Sequence, residues 1–143
     1  MNDLMSDIAK SMTYQVAHIG AKLELSDLPI CVGDAIQINQ LFSNLIGNSL
    51  KYLDSERSGV INVSGHNKQD YSVYCIEDNG IGIAPEYQGK IFEIFYQLNP
   101  SKVEGEGLGL TIASKIVNSH GGKIWVESEL CKGSKFFVSL PKA

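Results

Sequence analysis

Apolar residues return every three or four positions in three stretches of the chain, and that spacing predicts helices. In residues 3–19 the set is Met5, Ile8, Met12, Val16 and Ile19, one amphipathic face. A wider stripe of Ile38, Leu41, Phe42, Leu45, Ile46, Leu50 and Leu53 is broad enough to face a core. Gly33-Asp34 opens that second helix, with Asp34 as an N-cap for its free N–H groups. The third helix covers 108–119 with Leu110, Ala113, Ile116 and Val117 inward, and Gly121-Gly122 stop it.

Strands are predicted between these helices. Lys22-Leu23-Glu24-Leu25 alternates, and 60–63 and 71–76 flank a polar turn at 66–70. Residues 78–84 read as a glycine-punctuated loop, 85–92 as a short helix and 96–107 as a polar segment. Strands at 123–127 and 135–140 enclose the turn Cys131-Lys132-Gly133-Ser134. About three main helices and five strands predict an α/β (α+β) two-layer sandwich with one mixed five-stranded sheet.

With 143 residues, positions 1–143 read as a single domain. A chain of this size buries roughly 70% of its extended surface, enough for an ordinary core. A net charge of −4 argues against a nucleic-acid partner but leaves room for a local phosphate site. Cys31, Cys75 and Cys131 are odd in number and far apart, so they predict small buried hydrophobes rather than zinc ligands or a disulfide framework. No stretch approaches the ~20 apolar residues of a membrane span, and MNDLMSDIAKSM lacks the pattern of a signal peptide. The expectation is a cytoplasmic domain, whatever the membrane status of its parent protein.

Four clusters carry candidate chemistry. Asn44, Asn48 and Lys51 stand at i, i+4 and i+7 of the second helix, so they share one face. Asparagine is a poor helix former. The pair is therefore either two solvent-facing amides or a polar face toward a metal-bound nucleotide. An amide oxygen can complete a Mg2+ shell without adding charge, and a lysine offers a point charge to phosphate. Next comes Asp78-Asn79-Gly80-Ile81-Gly82, straight after a strand. A carboxylate at a strand end can accept a hydrogen bond from an exocyclic amine such as adenine's, and glycines let backbone approach a ligand. Phe92-Glu93-Ile94-Phe95 can anchor a loop on the core. Finally, Gly105-Glu106-Gly107-Leu108-Gly109-Leu110 opens a helix, whose unpaired N–H groups suit phosphate. It lacks the third glycine of a dinucleotide fingerprint and the Gly-Lys-Ser/Thr of a Walker A loop.

In this order the clusters resemble the N, G1, F and G2 boxes of the sensor histidine kinases, over about Asp34 to Leu140. The glycine-rich and terminal segments look similar to phytochrome-type and hybrid kinases. The resemblance implies the Bergerat-type ATP-binding fold shared with DNA gyrase, the Hsp90 chaperones and MutL, with ATP and Mg2+ as cofactors. It implies that Asn48 ligates Mg2+, Asn44 lies near the phosphates, Lys51 contacts phosphate and Tyr52 packs beside adenine. Asp78 would bind the adenine amine, with Gly80 and Gly82 shaping that wall. Residues 96–107 would form a lid, and Gly105, Gly107, Leu108 and Gly109 would line the phosphates. That lid holds little apolar material, so it is expected to be mobile without nucleotide. Where many relatives carry arginine after the aromatics, this chain has Gln97; Lys102 could substitute. Glu106 replaces a small polar residue, and Ser49 replaces alanine, which reads as a harmless change.

ATPases of that fold carry a water-activating glutamate four residues before the metal-binding asparagine. Here that position is Asn44, and an amide is no general base at neutral pH. Phosphoryl transfer then rests on positioning and electrostatics, which suits a histidine nucleophile from another domain. His18, His66 and His120 are not followed by Glu or Asp, unlike the family's acceptor. His120 reads as favouring the last turn of its helix. The expected partners are a dimerisation/phosphoacceptor domain of the same parent protein and a downstream response regulator receiver domain, with the domain itself monomeric. Three alternatives stay open: a nucleotide-binding regulatory module without transfer activity, a stand-alone ATPase, and a non-nucleotide interaction domain.

Overall fold

The computed structural model describes residues 1–88, 90–92 and 109–143. The expected lid at 96–107, with Gln97, Lys102, Gly105, Glu106 and Gly107, lies outside the described residues, as do Leu108 and Glu93-Ile94-Phe95. The described elements are α1 (Asn2–Ser11), α2 (Thr13–Ile19), β1 (Lys22–Leu25), α3 (Ala35–Lys51), β2 (Val60–Lys68), β3 (Tyr71–Asp78), α4 (Gly109–Ser119), β4 (Lys123–Glu129) and β5 (Gly133–Pro141). The strands form one sheet in the order β1-β2-β3-β5-β4. Only β1 and β2 are parallel; the other pairs are antiparallel, so the sheet is mixed as expected.

Helices and sheet meet through the predicted stripes. Leu41, Phe42, Leu45 and Ile46 of α3 are fully buried, together with Met5 and Ile8 of α1 and Val117 of α4. Inward residues of the sheet pair in rows, one of which runs Val63, Ile76, Phe136 and Val126. Phe42 meets Tyr74 edge-on at 5.3 Å, and the Tyr74 hydroxyl donates to the Pro29 carbonyl at 2.6 Å. The Ser72 hydroxyl donates to the Ile30 carbonyl at 2.7 Å, so two side chains of β3 hold the segment leading into α3. Asp34 caps α3 through Oδ1, which accepts the N–H groups of Ile36 at 2.9 Å and Gln37 at 3.2 Å.

Several boundaries differ from the sequence reading. The helix expected over 3–19 is two, broken at Met12. Ser11 and Thr13 hydroxyls bond the carbonyls of Ile8 and Ala9, side-chain back-bonding that bends helices. As a result Ile19, expected inward, is half exposed. Leu53 is buried as predicted, but beyond the end of α3. The helix expected near 85–92 is only a 3-10 turn, Pro85–Tyr87. After that turn the Gln88 side-chain amide donates to the Ile83 and Ser128 carbonyls, tying the chain to the glycine loop and β4.

Both hairpins run further than predicted, because their outer ends are polar and carry no alternation signal. The 66–70 turn shrinks to Gln69-Asp70, with Gln69 at φ 56°. Of the cysteines, Cys31 and Cys75 are half-buried but Cys131 is exposed in its hairpin turn, correcting the expectation that all three are buried. His120 does bond the end of its helix, with Nδ1 2.8 Å from the Ile116 carbonyl, and its Nε2 accepts the Asp34 N–H at 3.1 Å. Among the described residues no helix is long and apolar enough to cross a membrane.

Because α3 is the element through which core and candidate site are joined, Leu45→Ala is expected to lower unfolding free energy by ~2–5 kcal/mol. Urea titration followed by circular dichroism measures this; a shift of under half a kcal/mol would show that the α3 stripe does not carry the core.

Candidate functional site

The site grows from the last inward row of the sheet. That row runs Ile61, Asp78, Ser134 and Ser128, where the neighbouring rows are apolar. Asp78 is thereby carried into the interior at the end of β3, with only 6% of its surface exposed. Its Oδ1 accepts the Gly80 N–H at 2.9 Å. Burial pushes its carboxyl above the ordinary carboxylate range, opposed by the Gly80 N–H, the Ser49 hydroxyl and the Ser134 backbone. Ser134 Oγ and Ser128 Oγ lie 2.7 Å apart, and Ser128 Oγ accepts the Ile83 N–H at 2.7 Å.

The glycine-punctuated loop closes over this row. A side chain at Gly80 would strike the Tyr52 carbonyl, and one at Gly82 the Glu129 backbone. Gly82 also sits at φ 76°, a conformation that favours glycine. These glycines are therefore required by close packing of backbone on backbone. The Ile81 N–H donates to the Tyr52 carbonyl at 3.0 Å, so the loop is bonded to the C-cap of α3. Asn79 adds two bonds, accepting the Val60 N–H and donating to the Ser58 carbonyl, both at 2.8 Å.

The remaining expected residues belong to the α3 ridge. Asn44 and Asn48 are half-buried, at the border of the core, and Lys51 is exposed at the last helical residue. The Asn44 amide donates to the Gly109 carbonyl at 3.4 Å, linking the ridge to the first residue of α4. Thr111 in that first turn is buried and donates to the Phe92 carbonyl at 2.9 Å. Phe92 packs edge-on against Phe136 at 6.4 Å, as an anchor should. The structure thus joins Tyr52, Asp78, Gly80 and Gly82 in one bonded loop and places Asn44 against Gly109. Lys102, Gly105, Gly107 and Leu108 lie outside the described residues.

Two residues at the site are not among the expected binding residues. Ser49, expected to be a harmless change, is 1% exposed. Its Oγ makes no hydrogen bond of normal geometry, yet it stands close enough to ease the Asp78 charge. Arg57, from the α3–β2 loop, donates to the Gly80 carbonyl at 2.7 Å. A usable signal existed for Ser49 alone: next to Asn48, it falls on the buried side of the helical stripe.

The sequence profile described as histidine kinase-, DNA gyrase B-, and HSP90-like ATPase matches residues 33–143. The chain belongs to this ATPase family. Phytochrome-like protein Cph1 of Synechocystis is 34% identical over 99% of this chain and 19% of its own length. Cyanobacterial phytochrome B of Nostoc is 40% identical over 98% of this chain and 19% of its own length. The sensor histidine kinase RppB of Synechocystis is 37% identical over 99% of this chain and 32% of its own length. The chain therefore spans a third or less of these curated relatives. Among solved structures, full-length ShkA in complex with AMPPNP superposes with a TM-score of 0.83 at 28% identity, over 99% of this chain and 30% of that one. The nucleotide-free catalytic domain of histidine kinase ThkA gives 0.83 at 25% identity, over 99% of this chain and 92% of that one. The mixed-sheet sandwich is the fold of histidine kinase ATP-binding domains.

In this ATPase-family domain the Asp78 carboxylate weighs against folding when ionised, because its folded-state pKa lies above its unfolded one. Below the folded pKa the bound proton removes that penalty. Asp78→Asn is thus expected to raise the melting temperature at pH 7, with a gain that shrinks as pH falls through the acid range. Thermal melts of both proteins from pH 7 to pH 4 test this; a gain that grows toward acid would contradict the burial argument.

Proposed function

We propose that this chain is the ATP-binding catalytic domain of a sensor histidine kinase. It binds Mg-ATP and transfers the γ-phosphoryl group to a histidine on a separate dimerisation domain of the parent protein. The carrying observation is the buried, donor-ringed Asp78 at the end of β3, beside a glycine loop too tightly packed for side chains. A carboxylate kept in such a place is suited to one hydrogen-bond donor of a ligand, here the exocyclic amine of adenine. Gly80 and Gly82 form the wall along the base, and Tyr52 flanks it.

The ridge of Asn44, Asn48 and Lys51 faces the triphosphate in this reading. The donor set suits Mg2+, which would be held by Asn48 through a neutral amide oxygen and would supply charge neutralisation at the phosphates. Lys51 offers a cation to a phosphate oxygen. The first turn of α4, from Gly109, would offer its backbone N–H groups to phosphate. Asn44 cannot take a proton from water, so hydrolysis is slow and the phosphoryl group waits for an incoming imidazole. The family relationship and the kinases named above support this reading. The whole parent's partners, a phosphoacceptor domain and a response regulator, follow from it, as do a cytoplasmic location and a monomeric isolated domain. A second reading, a regulatory module that binds nucleotide without transfer, is favoured by Gln97 and Glu106.

Calorimetry should show micromolar-range Mg-ATP binding, weakened ~10–100-fold in Asp78→Asn by loss of one charged hydrogen bond. With γ-labelled ATP, label should pass to a matched dimerisation domain while hydrolysis without it stays negligible. Binding without transfer would favour the regulatory module, hydrolysis indifferent to Asn44→Ala a stand-alone ATPase, and no binding an interaction domain.

A further inference from the structure

The chain has one arginine, Arg57, and no recognised motif includes it. It sits in the loop between α3 and β2, and its guanidinium reaches across to the glycine loop. There Nη2 donates to the Gly80 carbonyl at 2.7 Å. The Ile81 N–H, which belongs to the same peptide unit, donates to the Tyr52 carbonyl at 3.0 Å. One rigid peptide plane is therefore held at both ends, by the end of α3 and by the loop that follows it. On the preceding peptide, the Gly80 N–H holds Asp78 Oδ1 at 2.9 Å. The orientation of the Asp78 carboxylate thus depends on a glycine whose backbone has no steric preference of its own.

We propose that Arg57 is a positioning residue of the base pocket: by holding the Gly80–Ile81 peptide it sets the direction in which Asp78 presents its carboxylate to the purine edge. This inference rests on the nucleotide-binding reading above. Only a loose, partly solvated ion pair adds to this placement. Asp54 Oδ2 lies 3.7 Å from Arg57 Nη2, and Asp54 Oδ1 accepts the Glu56 N–H at 2.9 Å, which shapes the loop. A planar guanidinium suits this task better than an ammonium, because its donors leave the group in fixed directions. Asn79 secures the strand-side peptide of the same loop to 58–60 but leaves the Gly80 carbonyl to Arg57.

The consequence is specific to the base. Among the described residues Arg57 bonds the Gly80 carbonyl and lies near Asp54, neither expected to meet the phosphates, so its loss should act on the recognition of the 6-amino group. The test is calorimetry of the 143-residue chain with Mg-ATP and with the Mg complex of purine riboside triphosphate, which lacks that amine. Arg57→Gln should weaken ATP about tenfold, the scale of one charge-assisted hydrogen bond, and leave the analogue nearly unchanged. The preference for ATP then narrows, a result that general loss of stability would not give. Arg57→Lys should recover part of it. Asp54→Asn keeps the Glu56 N–H acceptor and should bind as wild type.

Equal weakening for both nucleotides in Arg57→Gln would overturn the proposal, as would an Asp54→Asn defect as deep as that of Arg57→Gln. Unchanged binding of both nucleotides by Arg57→Gln would also overturn it. Should Arg57→Gln fail to fold, an unaltered ATP preference in Arg57→Lys would overturn the proposal, and a narrowed one would support it. If the wild-type chain bound neither nucleotide, the nucleotide reading itself would fail, and the two failures are thus distinguishable.

Discussion

A carboxylate placed under the surface of a protein keeps its charge only where fixed donors surround it. Asp78 is that group here, and much of the local architecture answers to it. The sheet carries it inward on a row with Ser134 and Ser128, the glycine loop turns back so that the Gly80 N–H meets it, and α3 brings Ser49 alongside. These donors do not fully offset burial, and the carboxyl stays easier to protonate than a surface aspartate. Such imbalance at one position, within a core otherwise built from well-packed apolar rows, is typical of binding sites that retain a strained group for its ligand chemistry.

The same helix serves core and site. Leu41, Leu45 and Ile46 turn to the sheet, while Asn44 and Asn48 hold the border between buried and exposed faces. A shift of α3 would move both sets together. Its N-terminus is therefore fixed in several ways: the Asp34 cap, the His120 ring from the end of α4, and the tether of the preceding segment to Tyr74 and Ser72. Its C-terminus is fixed by the Tyr52 carbonyl, which accepts the Ile81 N–H of the glycine loop. Rigid ends on a long helix are what let the Asn44 and Asn48 amides act with defined geometry.

The fold was largely legible because periodicity is local. The stripe on α3 was read residue by residue and every member is buried, down to Leu53 past the helix end. Errors gathered where side chains compete with backbone bonding. Ser11 and Thr13 break one expected helix into two, and the Gln88 side chain ties another down after a single turn. Polar hairpin ends gave no alternation, so the strands ran on unnoticed.

The candidate site was legible to the extent that it is written in contiguous motifs. Asn44, Asn48, Lys51, Asp78, Gly80 and Gly82 could be named from spacing and resemblance, since each has neighbours in sequence that mark it. Ser49 and Arg57 could not be given their places, because what matters about them is a partner tens of residues away. The sequence by itself determined the elements, the apolar faces and the order of the motifs, all of which follow from interactions between near neighbours along the chain. Only the tertiary structure decided that Arg57 and Tyr52 both bond the Gly80–Ile81 peptide, and that Ser49 stands beside Asp78. Those contacts depend on how β3 pairs with β2 and β5 and how α3 lies across them, a long-range outcome of packing that no local pattern encodes.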